Sequence, residues 1–298
     1  MNRTFKVVFN KARGALMVAN EATCSVQKKG AKTVVAVAAA LAMGSSMAAD
    51  WVIPETDVVL TNDSVSEEQY QENSTFAYTR NDTAAPGGFY STDKTGSFTG
   101  EVWVTAKGAK AGDDKYVQSH ALAVTGSGAV AEGEKPVTLT NDGTIHIQAT
   151  DGAYSWAQKG MIAMNGAVAV NEGTIEAKNA YGMTVGTTES GAAASKLINL
   201  KTINVTEQGV GIELGGVSGS SAENRGTITV SDIVDHGGEN NYWGHGVLIK
   251  DSSDNVFTNY GTIKASGEGA TAIEIQVSSN KTTSGNVINL EKGSSISG

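Results

Sequence analysis

One phrase recurs through the second half of this chain and narrows what it can fold into. Asn141-Asp-Gly143-Thr-Ile145 returns as Asn171-Glu-Gly173-Thr-Ile175, Asn199-Leu-Lys-Thr-Ile203, Asn224-Arg-Gly226-Thr-Ile228 and Asn259-Tyr-Gly261-Thr-Ile263. A degenerate sixth copy starts at Asn289. The asparagines stand 30, 28, 25, 35 and 30 residues apart, a beat that marks a repeat architecture. Between the copies falls a second phrase, a small residue followed by alternating apolar ones: Gly160-Met-Ile-Ala-Met, Gly182-Met-Thr-Val, Gly211-Ile-Glu-Leu, Gly246-Val-Leu-Ile and Ala270-Thr-Ala-Ile-Glu-Ile. A third, weaker strand often precedes the asparagine, as in Val137-Thr-Leu139 and Lys196-Leu-Ile198.

Each unit thus offers two or three strands of a few residues. Strands so short cannot bury enough surface alone. Units stacked in register, each adding one strand to each of two or three parallel sheets, bury a continuous interior. Inward Ile, Val, Leu and Ala form apolar columns while outward Thr, Glu and Lys meet water. The expected object is an all-β parallel β-helix, each coil rising about 4.8 Å and the six phrases making a stack on the order of 30 Å. The residues expected at its corners are Asn141, Gly143, Asn171, Gly173, Asn199, Asn224, Gly226, Asn259, Gly261 and Asn289. There glycine would accept positive φ, and asparagine tolerates it better than most. Repeated asparagines at one corner are also expected to stack in an amide ladder. An up-and-down array of antiparallel hairpins is the rival. The uneven spacings map to loops leaving the shaft, the longest being 232–245. Residues 50–100 do not fit the repeat and read as an irregular lead or cap, which a solenoid needs to cover its first strand edge.

Composition agrees. Gly is 36 of 298 residues, Pro only 3, and hydrophobics at 40% argue against disorder. Charge is split: seven of the 22 basic side chains but only one acid, Glu21, fall in residues 1–49. The remainder has twice as many acids as bases, which disfavours nucleic acid as a partner. The single cysteine, Cys24, lies in that basic N-terminal stretch, so the rest of the chain can form no disulfide.

Thr33–Met43 is an eleven-residue apolar run, too short to span a bilayer. Lys28, Lys29 and Lys32 precede it and Ser45-Ser46-Met47-Ala48-Ala49 follows, the pattern of a cleavable secretory signal. Cleavage is expected after Ala49, with Ala48 the next choice. The preceding 27 residues carry Met1-Asn2-Arg3, Phe5, Lys6, Val7-Val8-Phe9-Asn10 and Val18-Ala19-Asn20-Glu21. This tract resembles the extended signal peptide region of type V secretion proteins, with Phe9 at a place where that family more often has Trp. The coils from 137 onward resemble autotransporter passengers, whose form is a right-handed parallel β-helix. The resemblance implies 1–49 as extended signal peptide, 50–100 as irregular lead and 101–298 as passenger repeats. It also implies the inner-membrane export machinery as partner and a cell-surface or secreted destination. It further implies an outer-membrane β-barrel; its strand pattern is absent from this chain, so that barrel is expected in cis or in trans.

Chemistry is thinly signalled. No Gly-x-Ser-x-Gly elbow and no Gly-Asp-Ser-Gly is present. Asp232, Asp235, His236, Glu239 and His245 gather in the longest loop, but their spacing matches no metal-ligand pattern, and a solvated loop is the plainer reading. No cofactor and no metal is assigned. Tyr242 and Trp243 in that loop are candidate contacts for a host glycan or protein, or for self-association. Glu176, Glu213 and Glu274 are outward carboxylates of the kind a polysaccharide lyase or hydrolase would use. The expectation is a non-catalytic surface passenger acting in adhesion, autoaggregation or biofilm formation. A secreted carbohydrate-active enzyme on the same scaffold is the alternative.

Overall fold

The computed structural model describes residues 6–10, 15–19, 58–61, 89–92, 95–106, 119–149, 155–186, 191–234, 244–278 and 281–298. Ala49, Tyr242 and Trp243 lie outside them, as do Asp235, His236 and Glu239. In chain order the strands begin with β1 (Lys6–Asn10), β2 (Ala15–Ala19), β3 (Val58–Thr61), β4 (Phe89–Thr92), β5 (Gly96–Phe98), β6 (Glu101–Ala106) and β7 (Ser119–Thr125). There follow β8 (Thr138–Asn141), β9 (Thr144–Ala149), β10 (Gln158–Met164), β11 (Val168–Asn171), β12 (Thr174–Gly186), β13 (Lys196–Asn199) and β14 (Thr202–Gly215). The last are β15 (Ser221–Asn224), β16 (Thr227–Ser231), β17 (Gly244–Lys250), β18 (Val256–Asn259), β19 (Thr262–Ala265), β20 (Ala270–Gln276), β21 (Val287–Leu290) and β22 (Ser295–Ser297).

From β3 onward every pairing between these strands is parallel and joins one coil to the next. This is a parallel β-helix, and it excludes the hairpin array. The leader strands β1 and β2 pair antiparallel, and β2 meets β21 in the same sense. The shaft has three strand faces. The first is the row β5, β8, β11, β13, β15, β18 and β21. The second holds β6, β9, the first half of β12 and of β14, then β16, β19 and β22; the third holds β4, β7, β10, the second halves of β12 and β14, then β17 and β20. Where separate short strands were expected, β12 and β14 run unbroken round the corner between the second and third faces. Asn179 (φ 48) and Glu207 (φ 65) make that bend in the left-handed region.

The repeat phrases become columns. On the second face Ile145, Ile175, Ile203, Ile228 and Ile263 lie in register, each with no exposed surface. Burial of each is worth about 1.5–3 kcal/mol. On the first face Leu139, Ala169, Leu197, Ala222 and Phe257 alternate small and large, so successive coils interlock. Gly160, Gly182, Gly211 and Gly246 form a column beside the isoleucines. A Cβ on Gly182 would come within 2.7 Å of Ile203 Cγ2 and 2.6 Å of the Gly211 carbonyl oxygen. One apolar core therefore runs from Phe98 to Ala272.

The corner asparagines face inward and are wholly buried. The Nδ2 of Asn141, Asn171, Asn199 and Asn224 each donates to Oδ1 of the next, at Asn171, Asn199, Asn224 and Asn259, every bond 2.8 Å. A second N–H of Asn171 and of Asn224 reaches the carbonyl of Thr202 (3.0 Å) and Thr262 (3.2 Å). The column starts at Phe98, which pairs with Asn141, and ends at Leu290, which pairs with Asn259. Asn289 was expected there, but it stands one residue out of step. It pairs with Thr258, and its Nδ2 donates to Thr258 Oγ1 (3.3 Å). Strand side chains alternate faces, so a one-residue offset takes it out of the ladder.

The corner glycines need a different explanation from the one expected. Gly143, Gly173, Gly226 and Gly261 all lack positive φ. A Cβ on Gly173 would instead strike the carbonyl oxygen of Gly143, and one on Gly261 that of Gly226. Close stacking of backbones is what demands glycine here. Lys201 occupies the equivalent place, and there the bond from the Thr202 N–H to the Gly173 carbonyl is 3.2 Å, against 2.9 Å for Thr174 to Gly143 and Thr262 to Gly226.

A second polar column, absent from the sequence reading, closes the corner before the first face. Ser195 Oγ accepts from the Gly166 N–H (3.1 Å), Ser220 Oγ from Ser195 N–H (3.2 Å), Asn255 Oδ1 from Ser220 N–H (3.0 Å) and Asn286 Oδ1 from Asn255 N–H (2.9 Å). Each side chain satisfies a backbone donor that the turn would otherwise strand. Ser195, Ser220 and Asn255 each sit four residues before a ladder asparagine, and that offset was the available signal.

Candidate functional site

Among the described residues the inner columns are occupied by packing, which directs attention to the outer sides of the three faces. On the first face Lys196 Nζ donates to Glu223 Oε1 (2.6 Å), Arg225 bonds Glu223 Oε2 (3.1 Å), and the Arg225 guanidinium lies 4.2 Å from the centre of the Tyr260 ring. Burial alone would raise the Glu223 carboxyl, but the hydrogen bonds and charges of Lys196 and Arg225 hold it below its ordinary value. These groups satisfy one another.

The outer side of the third face is covered. Lys159, Tyr181, Thr184, Val210, His245 and Leu248 are all buried although they point away from the core. Trp156 packs on Tyr181, Val210 and Leu248, and the Lys159 ammonium donates to the Trp156 carbonyl (2.8 Å). Gln208 Nε2 donates to the Val234 carbonyl (3.2 Å), so the start of the long 232–243 loop is tied down on this face. Glu213, half-buried on the same side, accepts from Thr184 Oγ1 (2.7 Å). Burial raises the Glu213 carboxyl, and the Lys159 charge and the Thr184 bond only partly oppose it. Burial, helped by the Glu213 charge, raises the Tyr181 phenol well above its usual value. Burial also lowers the His245 imidazole, against the pull of Glu274, whose Oε2 lies 3.3 Å from Nδ1.

The three carboxylates taken together in the sequence are not together here. Glu176 is on the second face, accepting from Asn204 Nδ2 (2.9 Å). Glu213 and Glu274 share the third face with Leu248 between them in register. Of the grouping in the long loop, Asp232 is exposed and His245 is buried beside Glu274. Among the described residues no three His, Cys, Asp or Glu side chains converge as metal ligands.

The outer side of the second face is polar and partly open. Its first column is a hydroxyl row in register, Thr144, Thr174, Thr202, Thr227 and Thr262, each partly exposed. The neighbouring column runs Val59, Trp103, His146, Glu176, Asn204, Thr229 and Lys264. Trp103 is 43% exposed, the only aromatic among the exposed large hydrophobics of the described residues. Its ring stacks on His146 with centroids 3.6 Å apart and planes 8° from parallel. His146 Nε2 in turn shares a 2.6 Å hydrogen bond with Glu101 Oε1. Sequence reasoning looked for surface aromatics in the long loop and passed over this pair. Only the register between coils brings residues 43 positions apart face to face.

Residues 1–50 match the family described as the extended signal peptide of the type V secretion system. The leader thus marks an autotransporter-type exported protein, carried across the inner membrane to the cell surface or released, and what it exports here is a β-solenoid. No curated protein and no solved structure shows significant similarity to the chain.

Proposed function

We propose that the chain is a surface passenger that works by contact, in adhesion, cell–cell aggregation or biofilm formation, through a rigid non-catalytic shaft. One observation carries this reading: a type V export leader is joined to a solenoid whose uncovered outer face repeats the same polar rows coil after coil. A repeated row gives many weak contacts on one stiff body, and their effective concentration makes the sum strong. The partners proposed are a host-surface glycan or protein, or a second copy on a neighbouring cell, with an outer-membrane β-barrel in cis or in trans as the exporter. Deleting residues 101–298 in frame, with the leader kept, should abolish sedimentation and surface attachment of the producing cells. Unchanged aggregation and attachment in that strain would refute the reading.

A second reading has its own support. On the third face Glu213, Tyr181 and His245 have the shifted proton affinities that cluster at catalytic sites, and the Lys159 charge acts on Glu213. This would make the chain a secreted polysaccharide lyase or hydrolase. Release of reducing ends from polysaccharide by the exported protein, lost in Glu213→Gln, would favour the enzyme; an adhesin releases none.

A further inference from the structure

We propose that the outer side of the second face binds a neutral glycan chain lying along the shaft, with Trp103, braced by His146, as its aromatic anchor. This rests on the contact reading above and names the ligand class.

Trp103 carries the argument. An indole left in water forgoes the burial that such a side chain normally gains, and no core function accounts for it. The ring is also held in place: His146 stacks against it and Glu101 holds His146. A fixed exposed aromatic loses little conformational freedom when a ligand arrives, which is the property of a contact anchor.

The surroundings choose the ligand. A protein partner docking on an exposed indole would want apolar neighbours around it. Here the ring is followed along the row by an imidazole, the carboxylate–amide pair of Glu176 and Asn204, and then Thr229 and Lys264, with the threonine hydroxyls alongside. These groups offer hydrogen-bond donors and acceptors, one step per coil at the interstrand spacing, which is comparable to the length of one hexose unit. A ligand that presents apolar C–H faces and hydroxyl edges in such a repeat is a polysaccharide. Charge decides its type. Glu101 and Glu176 lie in or beside the row and the chain carries a formal net charge of −9, so uronate-rich, sulfated and phosphate-bearing polymers are repelled. The other two outer sides are unsuited, one being covered and the other having its charged groups paired with each other.

The test is titration of the exported full-length protein with cellohexaose and chitohexaose, and with heparin and polygalacturonate, followed by tryptophan fluorescence and calorimetry. Saturable binding of at least one neutral hexasaccharide is expected, weakened about tenfold or more in Trp103→Ala, as for an anchoring aromatic. Trp103→Tyr, which keeps a ring, should bind within a few-fold of the parent and guards against a folding artefact. The proposal is overturned if neither neutral oligosaccharide binds, if Trp103→Ala binds as well as the parent, or if the polyanions bind more tightly. Cell attachment that persists while neutral sugars fail to bind would remove this site alone and leave the contact reading standing.

Discussion

Replacing Asn199 by leucine tests the ladder most directly. Leucine has the same branched outline as asparagine, and Leu290 already occupies this column. The change removes two bonds of 2.8 Å and leaves Asn171 Nδ2 and Asn224 Oδ1, both on wholly buried residues, each short of a partner. At about 1–3 kcal/mol for each stranded buried group, the loss is roughly 2–6 kcal/mol, or about 3–10 °C in Tm for a chain of this size. Asn171→Leu should cost at least as much: it strands Asn141 Nδ2 and Asn199 Oδ1 and also removes the 3.0 Å bond to the Thr202 carbonyl. The double variant strands only Asn141 Nδ2 and Asn224 Oδ1. It should therefore cost about as much as either single change, far below their sum. Asn259→Leu, at the end of the row, strands one N–H of Asn224 and should cost about half. Urea and thermal unfolding of the parent and these four variants, followed by circular dichroism and calorimetry, measure the cycle. Additive losses at Asn171 and Asn199 would refute the account of the ladder as a chain of mutual satisfaction, and so would a terminal change as costly as a central one.

Gly182→Ala should destabilise by about 1–3 kcal/mol through overpacking against Ile203 and the Gly211 carbonyl; the matching change Ala272→Gly in the last coil should cost less, both read by denaturant midpoint. The folded-state affinity of Glu213 for a proton is raised, so its ionised form weighs against the fold as pH rises above the ordinary value of 4.5. Glu213→Gln, which still accepts from Thr184, should raise Tm near neutral pH, and the gain should vanish below that value; an equal gain at all pH would contradict the burial argument. Mass spectrometry of the exported protein should find Asp50 at its N-terminus, and a start elsewhere than after Ala48 or Ala49 would discount the assignment of the cleavage site.

The architecture was legible because parallel stacking aligns like with like: Asn over Asn and Ile over Ile leave a period in the sequence. Departures were illegible where one residue decides the register. Asn289 keeps the beat of the asparagines, yet Leu290 takes the ladder position, and spacing alone cannot reveal such a shift. The Ser195, Ser220, Asn255 and Asn286 column was masked because two residue types do one job, accepting from the coil before. The outer surface was the least readable. Outward residues alternate in the same way whether they are open or covered, so nothing local separates Thr229 on the second face from Tyr181 on the third. The difference is made by Trp156, which packs on Tyr181 from elsewhere in the chain.

The asparagine row has one further consequence, for the history of such a molecule. Every internal rung is wired to its neighbours in the same way, and apolar residues terminate the series at both ends. A duplicated turn can be spliced in, or one lost, without leaving any rung miswired. The gene can thus lengthen or shorten by whole turns, changing reach while conserving the joints, and the unequal loops between rungs stay free to diverge.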